Sequence, residues 1–385
     1  MNSVEARILR IECGLIPFTT PSDVFQAGGH EKGVPSQTLL DRMRYYKVPG
    51  VSLAVVQKDE IEWAKAYGVQ NIEEKNPVTT ATLFEAASST KLLTATIALH
   101  LVEKGLLDLD SDINGFLNSW KVPESKYSEG QKVTLRFLLT HQAGINRPEG
   151  GFSWEEGSVP SLVQVLNGES PAQNHPVKLE FVPGSKWQYS NLGYVIIQML
   201  IEDVLGRSFA EFAKEWVFEP LGMVSSRMDM PARAEFVAAA LPHDAEGVVH
   251  EQRLFPTAVA HAGLLTTPKD FAIFMVELMK SYRGRSNQIL SQAMARQMFR
   301  VELELDPAIL GVSLGQGLGV FLYPESNNLL FLHPGGNDPG ANCWPIAAPD
   351  LGNAAVIMTN GAKGEILGME ILTAIMREYH WLEEL

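Results

Sequence analysis

Strand-like runs sit at the two ends of this 385-residue chain and helix-like runs lie between them. That distribution limits the possible folds more than any other feature. VSLAVVQ (51–57), the polar turn Lys58-Asp59-Glu60 and IEWAKAYGV (61–69) read as a β-hairpin. Strand signals return only at GLGVFLY (317–323), NLLFLH (328–333) and NAAVIMTN (353–360). In the interval, apolar residues recur at helical spacing over 88–106, and further helices are expected at 134–140, 159–166, 192–205 and 208–216. A helix is expected at Ser36–Tyr46 with Ser36 as its cap, and a last amphipathic one from Glu365 to Leu382. The first 35 residues read as irregular. The economical solution is an α+β fold, with one antiparallel sheet assembled from both chain ends, flanked by the terminal helices, and a helical region inserted. The expected division is a discontinuous sheet domain (1–86 and 265–385) and a mainly helical domain (87–264). Active sites favour the seam between such units.

Composition excludes several classes of function. The chain is 45% apolar and 20% charged, as in folded proteins rather than disordered ones. Its formal net charge of −14 opposes non-specific binding to nucleic acid or to anionic lipid. Two cysteines, Cys13 and Cys343, rule out a disulfide scaffold and a four-cysteine zinc site, and they are expected to be unpaired thiols. There is no H-E-x-x-H and no paired-cysteine motif, so no metal is expected; no G-x-G-x-x-G opens a helix after a strand, so no cofactor is expected. No stretch reaches the length of a membrane span, and the short apolar run at the N-terminus is broken by Arg and Glu. The expectation is a cytoplasmic protein with a small-molecule ester or amide as partner, or a periplasmic or secreted one if a leader has been trimmed.

Three local signals carry chemistry. In Ser88-Ser89-Thr90-Lys91, the one S-x-x-K of the chain, Ser88 stands at the start of a long helix and Lys91 shares its face one turn later. A serine hydroxyl is a weak nucleophile until a base takes its proton, and a lysine whose pKa is lowered by burial can serve. In Tyr189-Ser190-Asn191, on a loop opening a helix, a phenol near cations becomes a usable base and Asn191 offers both a donor and an acceptor. In His333-Pro334-Gly335-Gly336, at a strand end, the glycines allow a ligand to lie against the backbone, and Pro334 suggests an edge strand. Taken singly, each has a plain structural alternative: a helix cap, a buried tyrosine, a strand-ending turn.

Together, S-x-x-K, Y-x-N about 100 residues on and H-x-G on a late strand resemble the serine β-lactamase and penicillin-binding superfamily. The Tyr-Ser-Asn form resembles its class C β-lactamase-like branch, with DD-carboxypeptidases, D-aminopeptidases, acyltransferases and family VIII carboxylesterases. The segments at 105–113, Leu138–Ile145 and Ala262–Phe271 are similar too, so the resemblance spans about residues 36–380. It implies a β-lactamase-like fold, with Ser88 as nucleophile and Lys91 and Tyr189 sharing its proton. Asn191, His333 and Gly335 would bind the substrate, and the amides of Ser88 and Gly336 would form the oxyanion hole. Trp187 and Trp344 are candidates for an acyl pocket, with core packing as the alternative.

The third motif departs from the superfamily's usual pattern, because Pro334 stands where a Thr or Ser hydroxyl helps hold a substrate carboxylate. With His333 in place of a lysine, this favours a neutral ester. The leading expectation is a carboxylesterase for short acyl chains. The alternatives are a β-lactamase or DD-peptidase, a D-aminopeptidase-type amide hydrolase, an acyltransferase, or a binding module without turnover. Gly311-Val312-Ser313-Leu314-Gly315 also fits the G-x-S-x-G nucleophile elbow, but a helix must follow that motif and a strand signal follows here. His261 heads a second H-x-G with no strand before it, and His141 reads as structural.

Overall fold

A computed structural model of the chain describes residues 3–17, 35–147, 152–155, 158–228, 239–251, 255, 257–307, 312–323 and 328–381. In chain order the elements are α1 (Val4–Glu12), α2 (Leu39–Tyr46), β1 (Gly50–Gln57), β2 (Glu60–Gly68), β3 (Phe84–Glu85), α3 (Thr90–Glu103), α4 (Leu135–Leu139), α5 (Leu162–Asn167), α6 (Asn191–Leu205), α7 (Phe209–Ala213) and α8 (Glu219–Leu221). Then come β4 (Leu265–Thr266), α9 (Pro268–Tyr282), α10 (Gln292–Met298), β5 (Leu303–Leu305), β6 (Leu314–Gly317), β7 (Val320–Tyr323), β8 (Leu330–Leu332), β9 (Gly335–Asn337), β10 (Ala341–Ala348), β11 (Asn353–Thr359) and α11 (Gly364–Glu378).

The main sheet runs β2-β1-β11-β10-β8-β7-β6-β5, with β9 also on β10, and every described pair is antiparallel. The two chain ends therefore meet inside it, with Val51 opposite Thr359 and Val56 opposite Ala354. Both strands are mostly apolar and are buried along nearly their whole length because both sheet faces are covered. Ala54, Val56, Val356 and Met358 face the core shared with α3, α6 and α9. Their neighbours Val55, Ala355 and Ile357 face α2 and α11, as the two-residue period of a strand requires.

Several elements differ from expectation, each for a physical reason. The irregular N-terminus contains α1, capped by Ser3. The charges that break up its apolar run are ion-pair partners: Arg7 with Glu62, Arg10 with Glu378, and Glu12 with Lys65 at 2.6 Å. Thr38, not Ser36, caps α2, its hydroxyl accepting from Asp41 N at 3.1 Å. The run expected as one strand at 317–323 is a hairpin, β6-β7, and α9 and α10 were not read from sequence at all. α9 starts with Pro268 in its first turn behind the Thr267 cap and lies across β1 and β11.

β10 also escaped sequence reading, because Pro345 argues against a central strand. Its ladder is interrupted there: Cys343 pairs with Gly335 and Ile346 with Leu332, leaving Trp344 and Pro345 opposite His333 and Pro334. The two prolines share one gap, where no donor is required. This also corrects the edge reading of Pro334, since β8 lies between β7 and β10.

Candidate active site

The site begins with β3, which pairs with β4 (Glu85 opposite Leu265). The chain then turns sharply: Ala87 has φ +47° and leads into a 3₁₀ turn, Ala87–Ser89, that opens α3. A non-glycine residue in that region costs about 1–2 kcal/mol, a strain characteristic of functional turns. α3 is buried over Thr90–Leu101, so it runs through the interior and takes Lys91 with it. Ser88 stays half-buried at its mouth.

Lys91 is fully buried. Its Nζ donates to Ser88 Oγ at 3.1 Å and to the carbonyl of His261 at 2.7 Å. Both acceptors are uncharged, and burial holds the amine well below its ordinary pKa. Tyr189 comes from the loop before α6. Its phenol lies beside Ser88, and its ring centroid is 5.0 Å from Lys91 Nζ. Burial pushes the phenol above its ordinary pKa, against the opposing effects of Ser88 and the Arg147 charge. This corrects the expectation of a favoured phenolate: desolvation outweighs the nearby cations. Asn191 opens α6, and its Oδ1 is buried with no hydrogen-bond partner among the described residues.

The third motif packs directly against the Ala86–Ser89 turn. Ser89 Oγ donates to the His333 carbonyl at 2.7 Å. A Cβ on Gly335 would lie 2.2 Å from Ala86 O and 2.9 Å from Ser88 N, so only glycine permits this approach. Gly336 is exposed, and among the described residues a Cβ there would have only Asn342 Oδ1 within 4 Å, at 3.5 Å. Asn337 Nδ2 donates to Glu85 Oε2 at 2.8 Å, a second tie between β9 and β3. His333 is buried, and burial with the Lys91 charge lowers its imidazole to about 3. It is neutral at physiological pH.

The fold thus gathers Ser88, Lys91, Tyr189, His333 and Gly335 at one place. Trp187 is half-buried beside Tyr189 (centroids 6.4 Å apart) and donates to Gln316 Oε1 at 3.2 Å. Trp344 is buried in the core under α11, where it packs against Gly368. Ser313 immediately precedes β6, so a strand follows it rather than the helix an elbow needs; Gly311 lies outside the described residues. What sequence reading missed is the role of His261, named there only as the head of a second H-x-G. It anchors Lys91 through its main-chain carbonyl, and a carbonyl is invisible to motif searches.

A family model described as Beta-lactamase matches residues 36–373. Penicillin-binding protein 4* of Bacillus subtilis (strain 168) is 31% identical over 195 residues, 50% of this chain and 41% of that protein. Unguisins hydrolase ungD' of Aspergillus campestris is 27% identical over 275 residues, 68% of this chain and 48% of that protein. The chain spans less than half the length of these curated relatives. Among solved structures, the octameric penicillin-binding protein homologue from Pyrococcus abyssi superposes with a TM-score of 0.73 at 26% identity, covering 88% of this chain and 75% of that one. The D-amino acid amidase from Ochrobactrum anthropi SV3 superposes with a TM-score of 0.70 at 24% identity, covering 89% and 97%, a likeness of fold. The match over most of its length, on this fold, shows that the chain belongs to the β-lactamase and penicillin-binding protein superfamily.

Proposed function

We propose that this chain is a serine hydrolase that cleaves short-chain carboxylic esters through an acyl-enzyme on Ser88, at the seam between the discontinuous unit 1–86/265–385 and the helical unit 87–264. In this reading the neutral Lys91 amine takes the Ser88 proton as Oγ attacks the ester carbonyl carbon. The resulting oxyanion is held by the amides of Ser88 and Gly336, each worth about 3–4 kcal/mol because such donors act where charge develops. As the ester C–O bond breaks, the Tyr189 phenol protonates the departing alkoxide and is reprotonated from Lys91. Water then attacks the acyl-enzyme, releases the carboxylic acid and restores Ser88. Asn191 orients the bound ester by donating from its side-chain NH2, since an ester offers only acceptors.

One observation carries the choice of an ester. His333 is neutral and Pro334 carries no hydroxyl, so the third motif offers neither a permanent charge nor a hydroxyl to a substrate carboxylate. The test compares kcat/KM for p-nitrophenyl butyrate, nitrocefin and a D-aminoacyl amide. The butyrate is expected to lead, and a lead by nitrocefin or the amide would overturn the ester assignment. Ser88→Ala should abolish turnover and Ser313→Ala should retain it; the reverse pattern removes Ser88 from the mechanism.

A second reading, cleavage of an amide beside a carboxylate, is favoured by Arg147. This exposed guanidinium lies close enough to act electrostatically on Tyr189, and it could supply the charge that His333 lacks. Its signature would be an amide lead in the same comparison that disappears with Arg147→Gln.

A further inference from the structure

We propose that His141 is the residue that positions Tyr189 for proton transfer at Ser88. The proposal rests on the reading of Tyr189 as a proton-transfer group. Tyr189 lies on a loop, outside any helix or strand, so something other than secondary structure must fix its phenol against Ser88. The residues on both sides of it are bonded to His141: Gln188 N donates to the His141 carbonyl at 2.8 Å, and Ser190 N donates to His141 Nδ1 at 3.2 Å. Between these two bonds the imidazole lies against the Tyr189 ring, with centroids 4.2 Å apart and planes tilted by 35°. One side chain and its own carbonyl therefore hold the backbone before the tyrosine, the backbone after it, and its ring.

The chemistry of the ring suits a clamp and not a proton carrier. Because Ser190 N–H donates to it, Nδ1 carries the lone pair and the ring proton sits on Nε2. Nε2 is buried and has no hydrogen-bond partner among the described residues. Protonating Nδ1 would break the bond to Ser190. Burial, with Lys91 and His333 nearby, holds the imidazole well below its ordinary pKa. A leucine would fill the same space without leaving a donor unpaired, but it has no acceptor for Ser190 N–H. The backbone also departs from the ordinary, since His141 has φ +58°, in the left-handed region that favours glycine and tolerates asparagine.

Misplacement of a reacting group by about 1 Å can cost about 10²-fold in rate, so His141→Ala is expected to lower kcat by about that factor, with KM within about threefold. His141→Asn, which keeps an acceptor near the Nδ1 position and accepts the backbone angle, should recover most of the loss. The deciding measurement repeats His141→Ala in a Tyr189→Phe background, where it should have almost no further effect on kcat. An equal loss in both backgrounds, or a loss carried by KM, would overturn the proposal and leave His141 as a packing residue. Should His141→Ala fail to fold, His141→Gln replaces it, since its amide sits too far along the chain to accept from Ser190. Full activity in Tyr189→Phe alone would instead sink the underlying reading of Tyr189.

Discussion

At the residue scale, the described partners of the buried Lys91 are a hydroxyl and a main-chain carbonyl, not a carboxylate. Burial disfavours the ammonium, so the amine is free to accept a proton at pH values well below 10.5. The sign follows: kcat/KM for a neutral ester should rise with pH through the lowered Lys91 pKa and then level off. Lys91→Arg should lose all measurable turnover, because a guanidinium stays protonated; a substantial residual rate would remove Lys91 as the base. Tyr189→Phe should lower kcat several hundred-fold, within the range of about 10²–10⁴ for general acid–base groups, as read from steady-state rates. The residues of this arrangement were legible in the sequence, because S-x-x-K and Y-x-N are written in side chains. Its electrostatics were not. The phenol that looked ready to ionise is pushed the other way, since burial depends on neighbours far along the chain.

At the element scale, β9 and the Ala86–Ser89 turn must touch for the third motif to reach Ser88, and Gly335 is the contact. Gly335→Ala would place a methyl 2.2 Å from Ala86 O, so β9 must withdraw. Turnover is expected to fall by about 10²-fold as the donors move off the oxyanion position. Among the described residues Gly336→Ala meets only Asn342 Oδ1, at 3.5 Å, so its loss should appear as KM for bulkier esters; equal effects of the two alanines on kcat would refute the distinction. A second contact joins α2 to α11, where Arg42 makes two hydrogen bonds to Glu370 (2.6 and 2.8 Å) and Tyr46 OH donates to the same carboxylate at 2.7 Å. All three side chains are buried. Glu370→Leu leaves a buried guanidinium unpaired and should destabilise by about 3–5 kcal/mol, whereas Arg42→Met with Glu370→Leu should recover most of that, as urea denaturation would show. Short elements such as β9, and β10 with its internal proline, could not be read locally because their status depends on what they pair with.

At the scale of the whole molecule, one apolar core runs from β1 and β11 through α3, α6 and α9, joining residues as far apart as Ala54 and Met358. α3 is buried along nearly its whole length, so the helical segments cannot separate from the sheet without exposing it. Far-UV circular dichroism and tryptophan fluorescence should therefore report one coincident denaturation transition; separated transitions would show that the 87–264 segment unfolds alone. The sequence by itself determined which stretches are strands or helices where the apolar period is long and unbroken. It also singled out Ser88, Lys91 and Tyr189, the residues proposed for catalysis, because S-x-x-K and Y-x-N are short local patterns. Only the tertiary structure decided that the charges of α1 are ion-pair partners, that β10 is central despite Pro345, that Trp344 lies under α11, and that a main-chain carbonyl and a histidine from distant loops hold Lys91 and Tyr189. Those outcomes depend on desolvation and packing between segments far apart in the chain, and no local pattern encodes them.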